Sequence, residues 1–327
     1  MRRLIIAGIC VFGILFVLLT LKRSVDAPVI SPIGKIVEKP LDKYAIERLG
    51  NTPVSGSDII LEEPVATASA YTVRPFHFFV QDTKVSGLAH IPAGAIPQNK
   101  KPVIIQLRGY VDRERYTTGE GTKRSSEVYV QNGFITLAPD FLGYGTSEAP
   151  SADVFEERFQ TYTTTLTLIA SVGSLPFADT NNIFLWGHSN GGQIALTVLE
   201  ISQKPIPATL WAPVTKPFPY SILYYTDDID DHGKALRARL AQFEKDYEAE
   251  LYSLTNYFNR ITAPLQIHQG TSDDAVPIAW SDSFVKVLKG EQKDVEYFTY
   301  PGADHNMLGG WNTVVSRDIQ FFREHLR

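Results

Sequence analysis

From residue 71 onward, short apolar runs alternate with longer stretches whose apolar residues recur at helical spacing. Runs rich in β-branched and aromatic residues predict strands, and the stretches between them predict helices. The predicted strands lie near residues 71–80, 84–91, 102–108, 134–139, 182–187, 208–213, 264–270 and 295–300. This alternation predicts an α/β fold, with a mostly parallel central sheet of about eight strands and helices on both faces.

One segment gives conflicting signals. Residues Phe159 to Ser171 are rich in threonine, a composition that favours a strand. Their length, and their place between two predicted strands, favour a helix. We expect a helix, because topology outweighs intrinsic propensity over a segment of this size.

The N-terminal segment has a different pattern. Arg2 and Arg3 precede an uncharged apolar run from Leu4 to Leu21, and Lys22 and Arg23 follow it. Eighteen helical residues reach about 27 Å, close to the roughly 30 Å hydrocarbon core of a bilayer. Residues 1–23 therefore predict an uncleaved transmembrane signal-anchor, with the rest of the chain outside the cytoplasm. A cleaved secretory signal is the alternative.

The two remaining irregular stretches set the expected domain boundaries. Residues 24–70 contain scattered prolines among Ser, Thr and charged residues, which predicts a stalk or linker with a short helical piece near Leu41 to Leu49. Residues 71–327 then form the folded domain. Residues 216–262 are too many for a simple crossover, and they predict a small helical cap insertion. A surface excursion away from any cleft is the alternative.

Composition narrows the possible partners. The net charge of −5 gives no indication of a nucleic-acid partner. The single cysteine, Cys10, lies in the apolar run, so the folded domain has neither a disulfide framework nor a thiolate metal site. An acidic group in the insertion lacks the spacing of an EF-hand, so we expect a solvated loop rather than a metal site. That group comprises Asp227, Asp228, Asp230, Asp231 and His232.

The most informative motif is Gly-x-Ser-x-Gly, with Gly187, Ser189 and Gly191 at its fixed positions. An apolar strand runs into it and a helical pattern follows at once. A serine at the apex of such a turn has a strained backbone, and the two glycines remove Cβ atoms that would clash. The sequence therefore predicts a nucleophile elbow with Ser189 as the nucleophile.

A serine nucleophile needs a base and an orienting acid, and on this type of sheet the acid precedes the histidine in the chain. Asp273 and Asp274 follow the strand near 264–270, and His305 follows the strand near 295–300. His305 is the one histidine with the expected order and loop placement. The two aspartates compete for the acid role, and the other one is expected to accept backbone N–H groups of its own loop.

Two backbone N–H groups are expected to bind the oxyanion of the tetrahedral intermediate. One belongs to Asn190, after the nucleophile, and the other to Tyr110, in the loop after the strand near 102–108. The phenol of Tyr110 could also reach the oxyanion, or its ring could pack at the rim of the cleft. Basic residues of this loop could clamp a substrate carboxylate, although we expect most to be solvated and only Arg108 to approach the cleft. They are Arg108, Arg113, Arg115, Lys123 and Arg124.

Further segments carry a family resemblance. Thr271 to Pro277 resembles the Gly-Thr-x-Asp-Asp-x-Val-Pro segment of prolyl-oligopeptidase-like hydrolases, and Gly133 to Ser147 resembles the Asp-x-x-Gly-x-Gly-x-Ser loop of α/β-hydrolases. With the elbow and the loop of His305, the matching segments cover about residues 71–327. The chain thus resembles the α/β-hydrolase superfamily, nearest its prolyl-oligopeptidase-like branch. Arg108 stands where relatives usually carry a histidine.

The resemblance implies that Asp273, the first aspartate of its pair, orients His305. It further implies a serine hydrolase that cleaves a peptide or ester bond through an acyl-enzyme, without a metal or organic cofactor. A serine peptidase is favoured, and a carboxylesterase, acyl hydrolase or acyltransferase of the cell envelope is the alternative. A non-catalytic binding protein on a hydrolase fold is a third hypothesis, against which the presence of all three triad residues argues.

Overall fold

A mixed sheet of ten strands forms the centre of the computed structural model, which describes residues 39–226 and 230–327. Its strands are β1 (Ile60–Leu61), β2 (Ala66–Thr67), β3 (Tyr71–Val80), β4 (Thr83–Pro92), β5 (Lys101–Leu107), β6 (Ile135–Pro139), β7 (Ala178–His188), β8 (Ala208–Trp211), β9 (Leu265–Gly270) and β10 (Val295–Tyr300). The helices among the described residues are α1 (Ile46–Gly50), α2 (Lys123–Gln131), α3 (Val154–Ser171), α4 (Asn190–Ser202), α5 (Tyr220–Leu223), α6 (Lys234–Phe243), α7 (Ile278–Gly290) and α8 (Trp311–Glu324).

The strand order is β1-β3-β4-β6-β5-β7-β8-β9-β10, and β2 pairs with β3 beside this path. Pairing is antiparallel from β1 to β6 and parallel from β6 to β10. The inner strand β5 reads as a continuous apolar run, and Val103 to Ile105 are fully buried, as expected for a parallel strand covered on both faces. The α/β-hydrolase fold expected from the sequence is therefore confirmed.

Parallel pairing brings the carboxyl ends of β5, β7, β9 and β10 to one edge of the sheet. Open α/β sheets place their ligands at this edge. The segments that carry Tyr110, Ser189, Asp273 and His305 each follow one of these four strands. Residues far apart in the sequence thus meet at one edge. The last strand, β10, pairs with β9 alone among the described residues.

The threonine-rich segment is helical, as expected, and forms most of α3. Asp153 caps its N-terminus by accepting the N–H groups of Phe155 and Glu156. The hydroxyl of Thr165 donates to the carbonyl oxygen of Thr161, 2.8 Å away, in the preceding turn. Such bonds satisfy buried hydroxyls within the helix, so the composition is compatible with it.

The folded unit begins at Pro40, which corrects the expectation of a stalk up to residue 70. Leu41, Tyr44 and Ile46 are buried in the main apolar core, and the hydroxyl of Tyr252 donates to the Leu41 carbonyl oxygen at 3.1 Å. The short strands β1 and β2 pair with β3. Residues 40–70 are therefore part of the body. The rest of the expected stalk, and the expected anchor at 1–23, lie outside the described residues.

The insertion at 216–262 contains α5, α6 and three short 3-10 helices in its described part. Three of its aromatic rings pack around Phe159 of α3, those of Phe218, Phe243 and Tyr252, with the Tyr252 ring stacked at 4.9 Å. Asp231 accepts the N–H groups of Gly233 and Ala235 at the start of α6. Asp227 and Asp228 lie outside the described residues. No helix of the described chain is sufficiently long and apolar to cross a membrane.

Candidate active site

Ser189 stands at a sharp turn between β7 and α4, with φ of 56° and ψ of −120°. This conformation is strained for a residue with a side chain, and it persists because the surroundings fix it. The Ser189 N–H donates to the Trp211 carbonyl oxygen at 2.9 Å, while the Ser189 carbonyl accepts the Val214 N–H at 3.1 Å. The turn expected around the motif is thus present.

The two motif glycines are required by close backbone approach. A Cβ atom on Gly191 would lie 1.8 Å from the Leu107 carbonyl oxygen, and one on Gly187 would lie 2.7 Å from the Gly191 carbonyl oxygen. Backbone atoms cannot yield as a flexible side chain can. Gly191 therefore lets the elbow pack against the end of β5, and Gly187 lets the end of β7 lie close to the start of α4.

Asp273 and His305 are joined directly. The His305 Nδ1 atom lies 2.9 Å from Oδ2 and 3.0 Å from Oδ1 of Asp273, whose side chain is completely buried. Asp274 is exposed to solvent. The structure thus brings Asp273, and not Asp274, to the histidine.

Asp273 also braces its own loop, a role that the sequence analysis assigned to its neighbour. Its Oδ1 accepts the N–H groups of Ala275 and Val276 at 3.0 and 2.8 Å. Its Oδ2 accepts a hydrogen bond from the Gln269 amide at 2.8 Å. The expectation that Asp274 holds the loop was therefore wrong. One carboxylate can do both because its two oxygens offer several acceptor positions.

These contacts determine the charge state of Asp273. Burial raises the pKa of its carboxyl, but the hydrogen bonds from His305, Val276 and Gln269, together with the charge of His305, outweigh burial. The pKa of Asp273 is consequently lower than that of an ordinary aspartate. The group is an anion at neutral pH, as the orienting acid of a triad must be.

His188, which precedes the nucleophile, contacts the histidine loop. Its Nε2 donates to the His305 carbonyl oxygen at 2.9 Å, and the two imidazole rings are 4.6 Å apart between centroids. This contact links the residue before Ser189 to the loop that carries His305. No hydrogen bond joins the Ser189 and His305 side chains among the described residues.

The loop after β5 passes beside the nucleophile. A Cβ atom on Gly109 would lie 3.0 Å from the Ser189 Cβ atom, so the residue before Tyr110 is in close contact with Ser189. Neither the Tyr110 N–H nor that of Asn190, at the start of α4, has an acceptor among the described residues. The Tyr110 side chain is 80% exposed, so its ring is at the rim. The two expected oxyanion donors are therefore both unpaired.

A buried polar network holds this loop. Arg108 donates to the carbonyl oxygens of Gly109 and Asp140, both at 3.0 Å, and its guanidinium lies over the rings of Tyr116 and Tyr144. The Asp140 carboxylate accepts the hydroxyls of Ser86 and Tyr116, both at 2.6 Å. Arg108 thus approaches the cleft as expected, but as a brace of the loop. Of the other basic residues, Arg113 pairs with Glu157, Arg124 lies over Trp311 and Arg115 is exposed.

Several residues at the site escaped the sequence analysis. Tyr220, Tyr224 and Tyr225 of the insertion lie against Trp280 and form an aromatic rim that is partly exposed. Arg158 of α3 lines the cleft next to Asn190. The three rim tyrosines lie within residues 220–225, so their clustering is visible in the sequence. The sequence could not identify Arg158 as a site residue, because nothing in its local pattern distinguishes it from a solvent-exposed arginine on a helix.

The described residues contain no group of three or more His, Cys, Asp or Glu side chains arranged to hold a metal ion.

Similarities to known proteins agree with this geometry. The model of the prolyl oligopeptidase family matches residues 122–327. A Schizosaccharomyces pombe protein that bears the name of a dipeptidyl aminopeptidase is 22% identical over 294 residues, which cover 88% of this chain and 32% of that protein. The chain thus spans about a third of the length of this relative.

Two solved structures illustrate the fold. A puromycin-hydrolyzing peptidase of Mycobacterium tuberculosis has a TM-score of 0.63 at 18% identity, covering 80% of this chain and 40% of its own. Acetyl xylan esterase 1 of Thermoanaerobacterium sp. JW/SL YS485 has a TM-score of 0.60 at 18% identity, covering 82% of this chain and 88% of its own. The family model spans more than half of the chain, and the chain therefore belongs to the prolyl oligopeptidase family.

Proposed function

We propose that this protein is a serine hydrolase that cleaves a peptide or ester bond through an acyl-enzyme. The observation that carries the proposal is the 2.9 Å contact between His305 Nδ1 and Asp273 Oδ2. The loop of His305 is joined by a 2.9 Å hydrogen bond to His188, the residue before a serine held at φ 56°. A buried carboxylate on one imidazole nitrogen leaves the other nitrogen to act as a base.

In the proposed mechanism, Ser189 is the nucleophile and His305 is the base. His305 Nε2 accepts the Ser189 proton as the hydroxyl oxygen attacks the substrate carbonyl carbon. The N–H groups of Asn190 and Tyr110 donate to the oxyanion that forms. His305 then gives the proton to the leaving group, and the acyl-enzyme remains. Water attacks this ester by the same route in reverse, releases the acid and restores Ser189.

A serine peptidase is the favoured form of this activity, and family membership supports it. An esterase is the second candidate, because an acetyl xylan esterase that aligns over 88% of its own chain shares the fold. Both bonds break through the same tetrahedral intermediate, so the triad serves either. The partly exposed aromatic rim near Asp273 favours a substrate with an apolar group next to the cleaved bond.

A fluorophosphonate probe tests the proposal directly. We expect it to label the wild-type protein on Ser189 and to leave the Ser189→Ala variant unlabelled. A panel of peptide p-nitroanilides and 4-nitrophenyl esters then separates the two candidates by kcat/KM. Ser189→Ala and His305→Ala should each lose about 10³-fold or more in turnover. Retention of a tenth of the activity in Ser189→Ala would refute the mechanism.

We also propose that residues 1–23 anchor the protein in a membrane, with the catalytic domain outside the cytoplasm. The uncharged run from Leu4 to Leu21 with basic residues at both ends supports this. The protein should stay with membranes through carbonate extraction, and its N-terminal sequence should be intact. Recovery of a soluble form that begins near Pro28 would establish a cleaved signal instead.

A further inference from the structure

A cleft of about 230 Å³ opens beside the two oxyanion donors. Asn190 and Tyr110 line it on one side, and two arginines, Arg108 and Arg158, line it with aromatic and aliphatic side chains on the others. A substrate held at the oxyanion donors therefore has part of its structure within reach of this cleft.

Arg158 is fixed in place without an anionic partner. Its Nη2 donates to the side-chain oxygen of Gln193, which is buried in the first turn of α4. The Nε of Arg158 is buried and has no acceptor among the described residues. No carboxylate of the described chain forms an ion pair with it. Gln193 is neutral, so the positive charge of Arg158 is not compensated by this contact.

The second arginine leaves a donor unpaired as well. Arg108 is 5% exposed, and both of its Nη atoms are engaged by carbonyl oxygens, but its Nε is buried and has no partner in the described residues. A buried N–H without an acceptor is costly, and a guanidinium matches the two oxygens of a carboxylate.

The carboxylates near the cleft, those of Glu157 and Asp273, interact with residues other than Arg158. Glu157 lines the cleft, but it forms an ion pair with Arg113. Asp273 is held by His305 and by its own loop. Burial and the charge of Asp273 raise the pKa of the Tyr225 phenol, and the charge of Arg158 lowers it in part. Arg158 lines the cleft together with Asn190, the residue after Ser189, and the charged side chains of the lining, Arg108, Arg158 and Glu157, carry one net positive charge.

We propose that this cleft binds a carboxylate carried by the substrate, and that Arg158 is the residue that recognises it. The proposal rests on the serine hydrolase activity proposed above and names its substrate class as acidic. Gln193 orients the guanidinium from the nucleophile's own helix, so the anion site and the reacting serine are fixed relative to each other. The free N–H groups of Arg158 bind the carboxylate, and the Arg108 Nε adds positive potential behind it.

Matched ester pairs test the proposal. Mono-4-nitrophenyl esters of adipic and suberic acid carry a free carboxylate, and 4-nitrophenyl hexanoate and octanoate are their neutral counterparts. In Arg158→Gln we expect kcat/KM to fall about tenfold or more on the acidic esters and to change less than about twofold on the neutral ones. Arg158→Lys should fall between, because it keeps the charge but loses the planar donor pair.

Arg115→Gln is the matched control. It removes the same charge from the loop after β5, but Arg115 is exposed and does not line the cleft. In this variant we expect kcat/KM on both ester classes to equal that of the wild type. An equal loss on acidic and neutral esters in a folded Arg158→Gln variant, or no loss on either, overturns the proposal. Thermal unfolding of the variant, compared with the wild type, shows that it is folded.

A binding measurement keeps the two proposals distinguishable. In a Ser189→Ala background, saturation-transfer NMR should detect monomethyl adipate, and Arg158→Gln should weaken its binding about tenfold. If no ester is turned over and no fluorophosphonate label forms, the hydrolase proposal fails, and this binding result still decides the carboxylate site. Equal binding of monomethyl adipate with and without Arg158 would rule that site out.

Discussion

The imidazole of His188 donates a hydrogen bond to the backbone carbonyl oxygen of His305, with 2.9 Å between the atoms. This contact joins the residue before the nucleophile to the loop that carries the proposed base. Burial, and then the charge of His305, lowers the pKa of His188 to about 4. His188 is therefore neutral at physiological pH, and its single ring proton is committed to the carbonyl.

Replacing His188 should slow turnover through the position of His305. We expect His188→Ala to lower kcat about five- to tenfold with little change in KM, because one hydrogen bond no longer fixes the loop. His188→Gln keeps a donor of similar reach and should recover part of the loss. Wild-type kcat in both variants would show that the contact has no part in catalysis.

His188 should also make the stability of the protein depend on pH. Its pKa falls from about 6.5 in the unfolded chain to about 4 in the folded one. Between these values the unfolded chain binds a proton that the folded chain does not, so the free energy of unfolding rises with pH across this window. Denaturant titrations from pH 4 to 6.5 should show up to about 3 kcal/mol of this dependence in the wild type and less in His188→Gln. Parallel curves for the two proteins would contradict the assignment.

The aspartate pair offers a comparison between adjacent residues. Asp273→Asn should lower kcat by up to about 10⁴-fold, because the imidazole loses the acceptor that fixes its tautomer. It should also lower the melting temperature, since the Ala275 and Val276 N–H groups bind the same carboxylate. Because folding depresses the Asp273 pKa, that stabilisation is present above about pH 4 and is lost as the pH falls below it. Asp274→Asn should match the wild type in both assays, and an inactive Asp274→Asn would refute the assignment.

Alanine substitution of two glycines tests whether close backbone contact, rather than conformational freedom alone, requires glycine at position 191. Gly191→Ala should destabilise the fold by more than about 4 kcal/mol or prevent folding, because its Cβ would meet the Leu107 carbonyl oxygen. Gly290→Ala is the control, since nothing lies within 4 Å of its added Cβ at the end of α7. There we expect no loss, and a gain of about 0.5 kcal/mol is reasonable. Soluble expression and thermal unfolding of the two variants provide the measurement.

The parts of the site that could be predicted from sequence are those with a local cause. The glycines at 187 and 191 indicate a tight backbone turn. Asp273 and His305 follow segments whose composition predicts strands. The predicted strand boundaries agree with the observed ones within a few residues, because strand composition is also a local property. Topology then brings the loops together without any information on long-range contacts.

Other features depend on tertiary contacts that leave no local pattern. Gln193 is polar on a buried helix face, and its partners are distant in the sequence: Arg158 of α3 donates to its side-chain oxygen, and its side-chain nitrogen donates to the Ser221 hydroxyl. The strands β1 and β2 have two residues each, too short to show a period of two. They exist because the edge of β3 offers them hydrogen bonds. Together with the burial of Leu41, Tyr44 and Ile46 in the main core, this pairing makes residues 40–70 part of the folded unit.

The position of β10 has a consequence for how activity is lost. The loop with His305 follows an edge strand that is held by β9 alone in the described sheet, whereas the loops with Tyr110 and Ser189 follow interior strands. Peripheral elements open with a smaller free energy than the centre of a domain. Mild denaturant should therefore abolish the proposed activity by displacing His305, while the turn at Ser189 and most secondary structure survive. Inactivation would precede the unfolding of the sheet, and dilution of the denaturant would restore activity as soon as one strand pairs again.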